Sequence, residues 1–233
     1  MRIVQISDTH ISCDHPSRVT DFERCVDAIN ALDRRPEVVV HTGDVAHNGL
    51  REEYEIAREL LEKLAAPYFV LPGNRDNRQE LTRIFADGRH IRSGMDFVQY
   101  SVEHLEVRLV ILDTVSPKSN KGCLCPARLA HFERMLSENG RRPTALFLHH
   151  PPFEISAIPD PRQFEVWAEA EALAARLGRQ PDICGVFCGH VHRSVDGAIG
   201  SVKASTLSCV AVDLRKGHEA AQHGPIFNVF TIP

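Results

Sequence analysis

Five short stretches of this chain end in side chains able to hold a metal ion. Near the amino terminus Ile3, Val4 and Ile6 form an apolar, β-branched run that stops at Asp8-Thr9-His10. Such a run reads as a buried strand. Residues at i and i+2 of an extended chain point to the same side, so Asp8 and His10 can reach one point. A carboxylate beside an imidazole suits a divalent transition metal. Alone, the triplet reads better as a turn. The device recurs, however. Val38-Val39-Val40 runs into His41-Thr42-Gly43-Asp44, and Tyr68-Phe69-Val70-Leu71 into Pro72-Gly73-Asn74-Arg75-Asp76. Residues 144–148 lead into His149-His150-Pro151-Pro152, and residues 183–188 into Gly189-His190-Val191-His192. Five of the thirteen histidines, two aspartates and an asparagine thus share one kind of place. A catalytic zinc takes about three protein ligands. Seven or eight candidates suit two metals instead, roughly 3.5–4 Å apart with one bridging carboxylate, the clamp for in-line displacement at phosphorus.

These side chains need elements to position them. Residues 17–35 have a helical apolar period (Val19, Phe22, Cys25, Val26, Ile29, Leu32), as do residues 52–65 (Tyr54, Ala57, Leu60, Leu61, Leu64), with Pro36 and Pro67 closing them. The first 76 residues therefore read β-α-β-α-β with parallel strands. In such sheets ligands bind beyond the carboxyl ends of the strands, where Asp8, His10, Asp44 and Asn74 lie. Residues 97–102 and 107–112 read as an antiparallel pair, 81–85 as a short helix, 113–126 as a polar loop, and 127–138 and 164–177 as helices. Residues 159–163 read as an irregular rim or lid. Beyond residue 194 short β-like runs (202–207, 210–214, 226–232) alternate with turns. No linker divides the chain, so residues 1–233 are expected to form a single domain.

Composition narrows the function. The chain has 233 residues, 43% hydrophobic and 25% charged, with a net charge of −4 and no long run of either sign. A nucleic-acid or anionic-membrane partner would call for a basic stripe. No apolar run is long enough to span a bilayer, and no secretory signal pattern opens the chain, so the cytoplasm is the expected compartment. Four of the seven cysteines (Cys25, Cys184, Cys188, Cys209) sit in apolar or helical patterns, which favours reduced thiols. Cys123 and Cys125 lack a second pair at zinc spacing.

The motifs Asp8-Thr9-His10, Gly43-Asp44, Gly73-Asn74-Arg75-Asp76, His149-His150-Pro151-Pro152 and Gly189-His190-Val191-His192 resemble those of the calcineurin-like metallophosphoesterase superfamily, in its order and across nearly the whole chain. Spacing and context most resemble the bacterial class III cyclic-nucleotide phosphodiesterases and glycerophosphodiesterases. The resemblance implies a four-layer α/β/β/α sandwich of two mixed sheets, with the β-rich tail forming the second sheet. It implies two metal ions, drawn from iron, manganese, zinc or cobalt. Asp8, His10 and His192 would hold the first, Asn74, His149 and His190 the second, and Asp44 would bridge them. His149 is chosen over His150 because the family's ligand is the first residue past the strand. His150 is then an expected catalytic neighbour, near the metals or facing substrate, or else structural. A metal-bound hydroxide would hydrolyse a small-molecule phosphodiester, and a homodimer would fit the family.

Arg75 departs from the pattern, which usually has His there. Arginine is permanently charged and a poor proton donor, yet it can bind phosphate and stabilise a transition state. Leaving-group protonation would fall to His150, to water or to nothing; alternatively Arg75 simply pairs with Asp76. The competing functions are a phosphomonoesterase or nuclease of the same superfamily, and a non-catalytic metal-binding homologue.

Overall fold

The computed structural model describes residues 1–92, 94–138 and 140–232. Its elements run β1 (Arg2–Ile6), α1 (Pro16–Asn30), β2 (Val38–His41), α2 (Arg51–Leu61), β3 (Tyr68–Val70), α3 (Arg78–Phe85), β4 (Tyr100–Val102), β5 (Arg108–Leu112), α4 (Pro126–Glu138), β6 (Thr144–Leu148), α5 (Trp167–Leu177), β7 (Ile183–Cys188), β8 (Val195–Ile199), β9 (Val202–Thr206) and β10 (Asn228–Thr231).

Local chemistry sets the helix starts. Pro16 opens α1, where its missing N–H costs nothing. Asn77 caps α3, its side chain accepting from Gln79 N and Glu80 N. At α2 the Glu53 carboxylate turns back to the N–H groups of Asn48 (2.8 Å) and Leu50 (3.2 Å).

The strands form two sheets, ordered β10-β1-β2-β3 and β4-β5-β6-β7-β9-β8. β1, β2 and β3 are parallel, as are β5, β6, β7 and β9; β10, β4 and β8 are antiparallel to their neighbours. The layering follows from side-chain alternation. Leu109, Ile111, Ala145 and Phe147 join β1–β3 and the helices α1 and α2 in one core. Their neighbours Val110, Leu112, Leu146 and Leu148 pack instead with Phe132 of α4 and Leu173 of α5 in a second core. Each such side chain contributes about 1.5–3 kcal/mol on leaving water. Phe187 lies between the sheets, stacked on Phe230 of β10 (centroids 4.0 Å) and on Phe147 (5.3 Å). The result is the four-layer α/β/β/α arrangement.

The tail differs from expectation. It does not make the second sheet: β4–β7 supply most of that sheet, β8 and β9 extend it, and β10 joins the first sheet beside β1. Residues 210–214 are not a strand. Val210 N donates to Ser7 O and Ala211 N to Asp8 O, so this run is drawn onto the loop after β1, and a short 3₁₀ turn follows at Val212–Leu214. α1 stops at Asn30, short of Arg35, and α5 begins at Trp167 rather than at residue 164. Among the described residues no helix is long and apolar enough to cross a membrane.

Candidate metal centre

The carboxyl ends of β1, β2, β3, β6 and β7 meet at one edge of the sandwich. Gln5 on β1 bridges the sheets, its amide donating to Cys188 O at the end of β7 (2.9 Å) and to Thr42 Oγ1 (3.1 Å). Past the strand ends the loops keep bonding one another. Asp8 N donates to Gly43 O, His10 N to Asp44 O, and Gly189 N to His149 O, at 3.0–3.1 Å.

Those bonds hold an unusual backbone. The non-glycine residues recorded with positive φ are Asp8 (53°), His10 (44°), Asp44 (52°), His190 (76°) and His192 (56°). Left-handed φ in side-chain-bearing residues costs of order 1–3 kcal/mol each and persists where the surroundings enforce it, often at functional sites. All five belong to the ligand set expected from sequence. Two glycines permit the crowding: a Cβ on Gly73 would meet the Asp44 carboxylate, and one on Gly189 would meet Ser7 and Asp8.

Every expected ligand reaches this edge, in two groups. His10 Nε2 lies 3.1 Å from His192 Nε2, 3.4 Å from Asp44 Oδ2 and 3.8 Å from Asp8 Oδ1. His192 Nδ1 faces Leu214 O at 3.0 Å and so carries the proton, leaving Nε2 as a lone pair. Asp8 Oδ1 is buried and accepts no hydrogen bond. In the second group His149 Nε2 lies 3.1 Å, and His190 Nδ1 2.8 Å, from Asn74 Oδ1. His149 Nδ1 donates to Thr42 O (2.8 Å) and His190 Nε2 to Gln163 Oε1 (2.9 Å), so in the neutral rings the inward nitrogens are again lone pairs. Asp44 stands between the groups, Oδ1 3.5 Å from His149 Nε2 and Oδ2 turned to His10. Acceptors crowded at such distances repel one another unless a cation lies among them. This donor set of oxygen and imidazole nitrogen fits metal ions of that kind.

Electrostatics agree for two of the rings. Burial lowers His10 to about 4 and His190 to about 3, which keeps both imidazoles neutral and able to ligate. Burial alone would raise Asp8, but the adjoining His192 ring, 3.5 Å from Oδ1, and the nearby His149 hold it at about 2. His149 differs in the metal-free protein: burial works against its charged form, but the adjoining Asp44 carboxylate overrides it and raises the ring to about 9, so a metal ion held at Nε2 would displace a proton.

The two remaining sequence candidates fall differently. His150 is fully buried, with Nδ1 bonded to Thr114 Oγ1 (2.8 Å) and Nε2 to Asn120 O (3.0 Å). It lies within reach of His149 and His190, yet both its nitrogens are taken, so it offers none to metal or substrate in this arrangement. Arg75 is exposed at the mouth. It does not pair with Asp76, which is buried and accepts from Val45 N, Ala46 N, Gly73 N and the Tyr54 hydroxyl at 2.8–3.1 Å. Arg75 N instead donates to Asp44 Oδ1 (2.8 Å), and its guanidinium meets His47 Nε2 at 3.3 Å.

Sequence reasoning missed His41, His47 and Gln163. His41 is buried; Gly43 N donates to its Nδ1 (3.2 Å), and its Nε2 lies 2.9 Å from Thr9 Oγ1, which in turn donates to Val45 O. A histidine three positions past Asp44 was a readable signal for His47. Gln163 gave none, since its loop has no periodicity.

A family model described as calcineurin-like phosphoesterase matches residues 1–194. The chain is 32% identical over 229 residues to the glycerophosphodiester phosphodiesterase GpdQ of Enterobacter lignolyticus, covering 94% of this chain and 81% of that one. It is 28% identical over 217 residues to the 3',5'-cyclic adenosine monophosphate phosphodiesterase CpdA of Pseudomonas aeruginosa, covering 89% and 76%. Its fold is similar to that of a dimetal phosphatase from Danio rerio, with a TM-score of 0.72 at 15% identity over 98% of this chain and 91% of that one. On its sequence match, with the fold in agreement, the chain belongs to the calcineurin-like phosphoesterase family.

Proposed function

We propose that the protein hydrolyses small-molecule phosphodiesters, of the glycerophosphodiester or cyclic-nucleotide kind, at a binuclear metal centre, and that residues 1–233 act as one domain. The observation that carries the reading is the shared carboxylate: the two groups of side chains meet on the two oxygens of Asp44. The relatives acting on glycerophosphodiesters and cyclic nucleotides support the substrate class.

In this reading Asp8, His10 and His192 hold one ion, Asn74, His149 and His190 the other, and Asp44 joins them. The ions, of iron, manganese, zinc or cobalt type, supply Lewis-acid charge for the phosphoryl oxygens and an activated water at neutral pH. The rest is done by the chain. Thr42 O, Leu214 O and Gln163 Oε1 fix the ring tautomers so that only lone pairs face inward. Arg75 binds the phosphate from the open side, where its guanidinium matches developing negative charge. His150 acts as a positioning residue, tying the strand end after β6 to the 114–120 loop.

Turnover of bis(p-nitrophenyl) phosphate by protein loaded with manganese tests the reading, followed by glycerophosphodiesters, cyclic nucleotides and monoesters. Diesters are expected to turn over fastest, and Asp44→Ala to abolish the rate. No turnover with any of the four metals, or an undiminished rate in Asp44→Ala, overturns it.

A further inference from the structure

Two groups at the mouth of the centre face each other in a way that marks a missing acceptor. His10 directs Nε2 at His192 and Asp44, so with that nitrogen serving as a ligand the ring proton sits on Nδ1. The acceptor in reach of this proton is His47 Nδ1, at 3.4 Å. A neutral imidazole accepting at Nδ1 carries its own proton on Nε2. His47 Nε2 lies 3.3 Å from Arg75 Nη2, and a guanidinium can only donate. Two N–H groups therefore point toward each other across hydrogen-bond distance with no acceptor supplied. The Glu53 carboxylate already receives Asn48 N, Leu50 N and the Asn48 amide.

Position and rigidity agree with a role at the mouth. His47 N donates to Ile11 O (2.9 Å) at the end of a bridge between Ile11 and Ala46, so its backbone is fixed to the loop that carries His10. Its ring is half-buried and Arg75 is exposed, so the open side of the pair faces solvent.

We propose that His47 Nε2–H and the Arg75 guanidinium form a two-armed clamp that donates to one oxygen of a bound phosphate group. The clamp rests on the reading of this site as a phosphodiesterase centre and adds to it a residue that binds substrate from the loop after Asp44. One arm is charged and flexible. The other is neutral and held at a fixed angle by His10. Phosphate bound at the metals would thus be gripped on an oxygen facing outward, and His10 couples the grip to the first metal position.

The two faces of the His47 ring can be tested apart. His47→Asn keeps an acceptor near the Nδ1 position, and hence the partner of His10, but removes the outer donor. His47→Gln keeps a donor near the Nε2 position and removes the inner acceptor. The probe is inorganic phosphate, titrated calorimetrically into the manganese-loaded protein, with manganese affinity of the metal-free protein measured in parallel. His47→Asn is expected to weaken phosphate about tenfold, the scale of one hydrogen bond to a charged partner, with manganese affinity within about twofold. His47→Gln is expected to show the reverse pattern. Arg75→Gln should also weaken phosphate, and by less in the His47→Asn background than alone. Phosphate affinity unchanged in His47→Asn overturns the clamp while leaving the metal centre standing. Absence of both phosphate binding and diester turnover in the loaded wild type overturns the clamp and the proposed function together.

Discussion

Gln163 is the residue whose removal tests the geometry most sharply. Its Oε1 receives the His190 Nε2–H at 2.9 Å, which leaves His190 Nδ1 bare and 2.8 Å from Asn74 Oδ1. Gln163 is itself held on the rim, its backbone carbonyl accepting from Gly122 N (2.8 Å), while Lys121 pairs with Asp160 (2.6 Å) and Glu165 with Ser116 (2.6 Å). In Gln163→Leu the Nε2 proton loses its acceptor. The buried ring then gains by moving the proton to Nδ1, where it can donate to Asn74 Oδ1, and that step removes the inward lone pair. Loss of such a supporting bond costs metal affinity about 10- to 100-fold, or about 1.4–2.8 kcal/mol. Manganese titration of the metal-free variant should show one weakened binding step, with the step assigned to Asp8, His10 and His192 unchanged. Gln163→Glu, which keeps an acceptor, should restore affinity. Two unaltered steps in a folded Gln163→Leu protein would refute the tautomer assignment.

Acid should destabilise the metal-free protein through His41. Burial lowers this ring to about 3, whereas an unfolded histidine titrates near 6.5. Between those values the unfolded state binds more protons at this residue, so stability falls as pH falls, His41 contributing about 1.4 kcal/mol per unit below pH 6.5. Urea melts at pH 7.5 and 5.0 should show a slope smaller by about this amount in His41→Gln than in wild type, the lowered His10 and His190 rings adding their share in both. Gly73→Ala should lower stability and cut metal affinity, because the new methyl group would overlap both the carboxylate and the backbone nitrogen of Asp44; retained affinity in a calorimetric titration would contradict the crowding. Arg78 makes a two-pronged pair with the fully buried Asp113 (2.6 and 2.8 Å). Asp113 also accepts from Val98 N and Val115 N (both 2.9 Å) and lies 3.9 Å from Arg128 Nη1. Arg78→Met should lower stability by about 3 kcal/mol, the low end for stranding a buried charge, and a thermal melt within 1 °C of wild type would show that Arg128 and these amides suffice.

How much of this could be read from residues alone follows from the reach of each signal. The strands β1, β2, β3, β6 and β7 were legible because each is a short apolar run cut off by glycine, proline or a ligand type. The seven candidate ligands followed, since all lie directly past those ends. The tail was not legible. Whether residues 228–231 pair with β1 or with the other sheet depends on partners over two hundred positions away, and a β-like composition is the same in both cases. Residues 210–214 carry a strand pattern, yet Ser7 O and Asp8 O offered their amides nearer partners. His149 and His150 differ only in direction: one faces Asn74 and the other Thr114 and Asn120. Adjacent residues past a strand end give no sequence sign of that choice.

The left-handed backbone at Asp8, His10, Asp44, His190 and His192 has an evolutionary consequence. Glycine adopts that conformation without penalty, so replacing any one of these five would relax the metal-free fold. A population of such chains, freed of any demand for catalysis, would drift toward glycine here and grow more heat-resistant as it lost its metals. Three histidines and two aspartates held at these angles are the mark of a demand that outweighs stability.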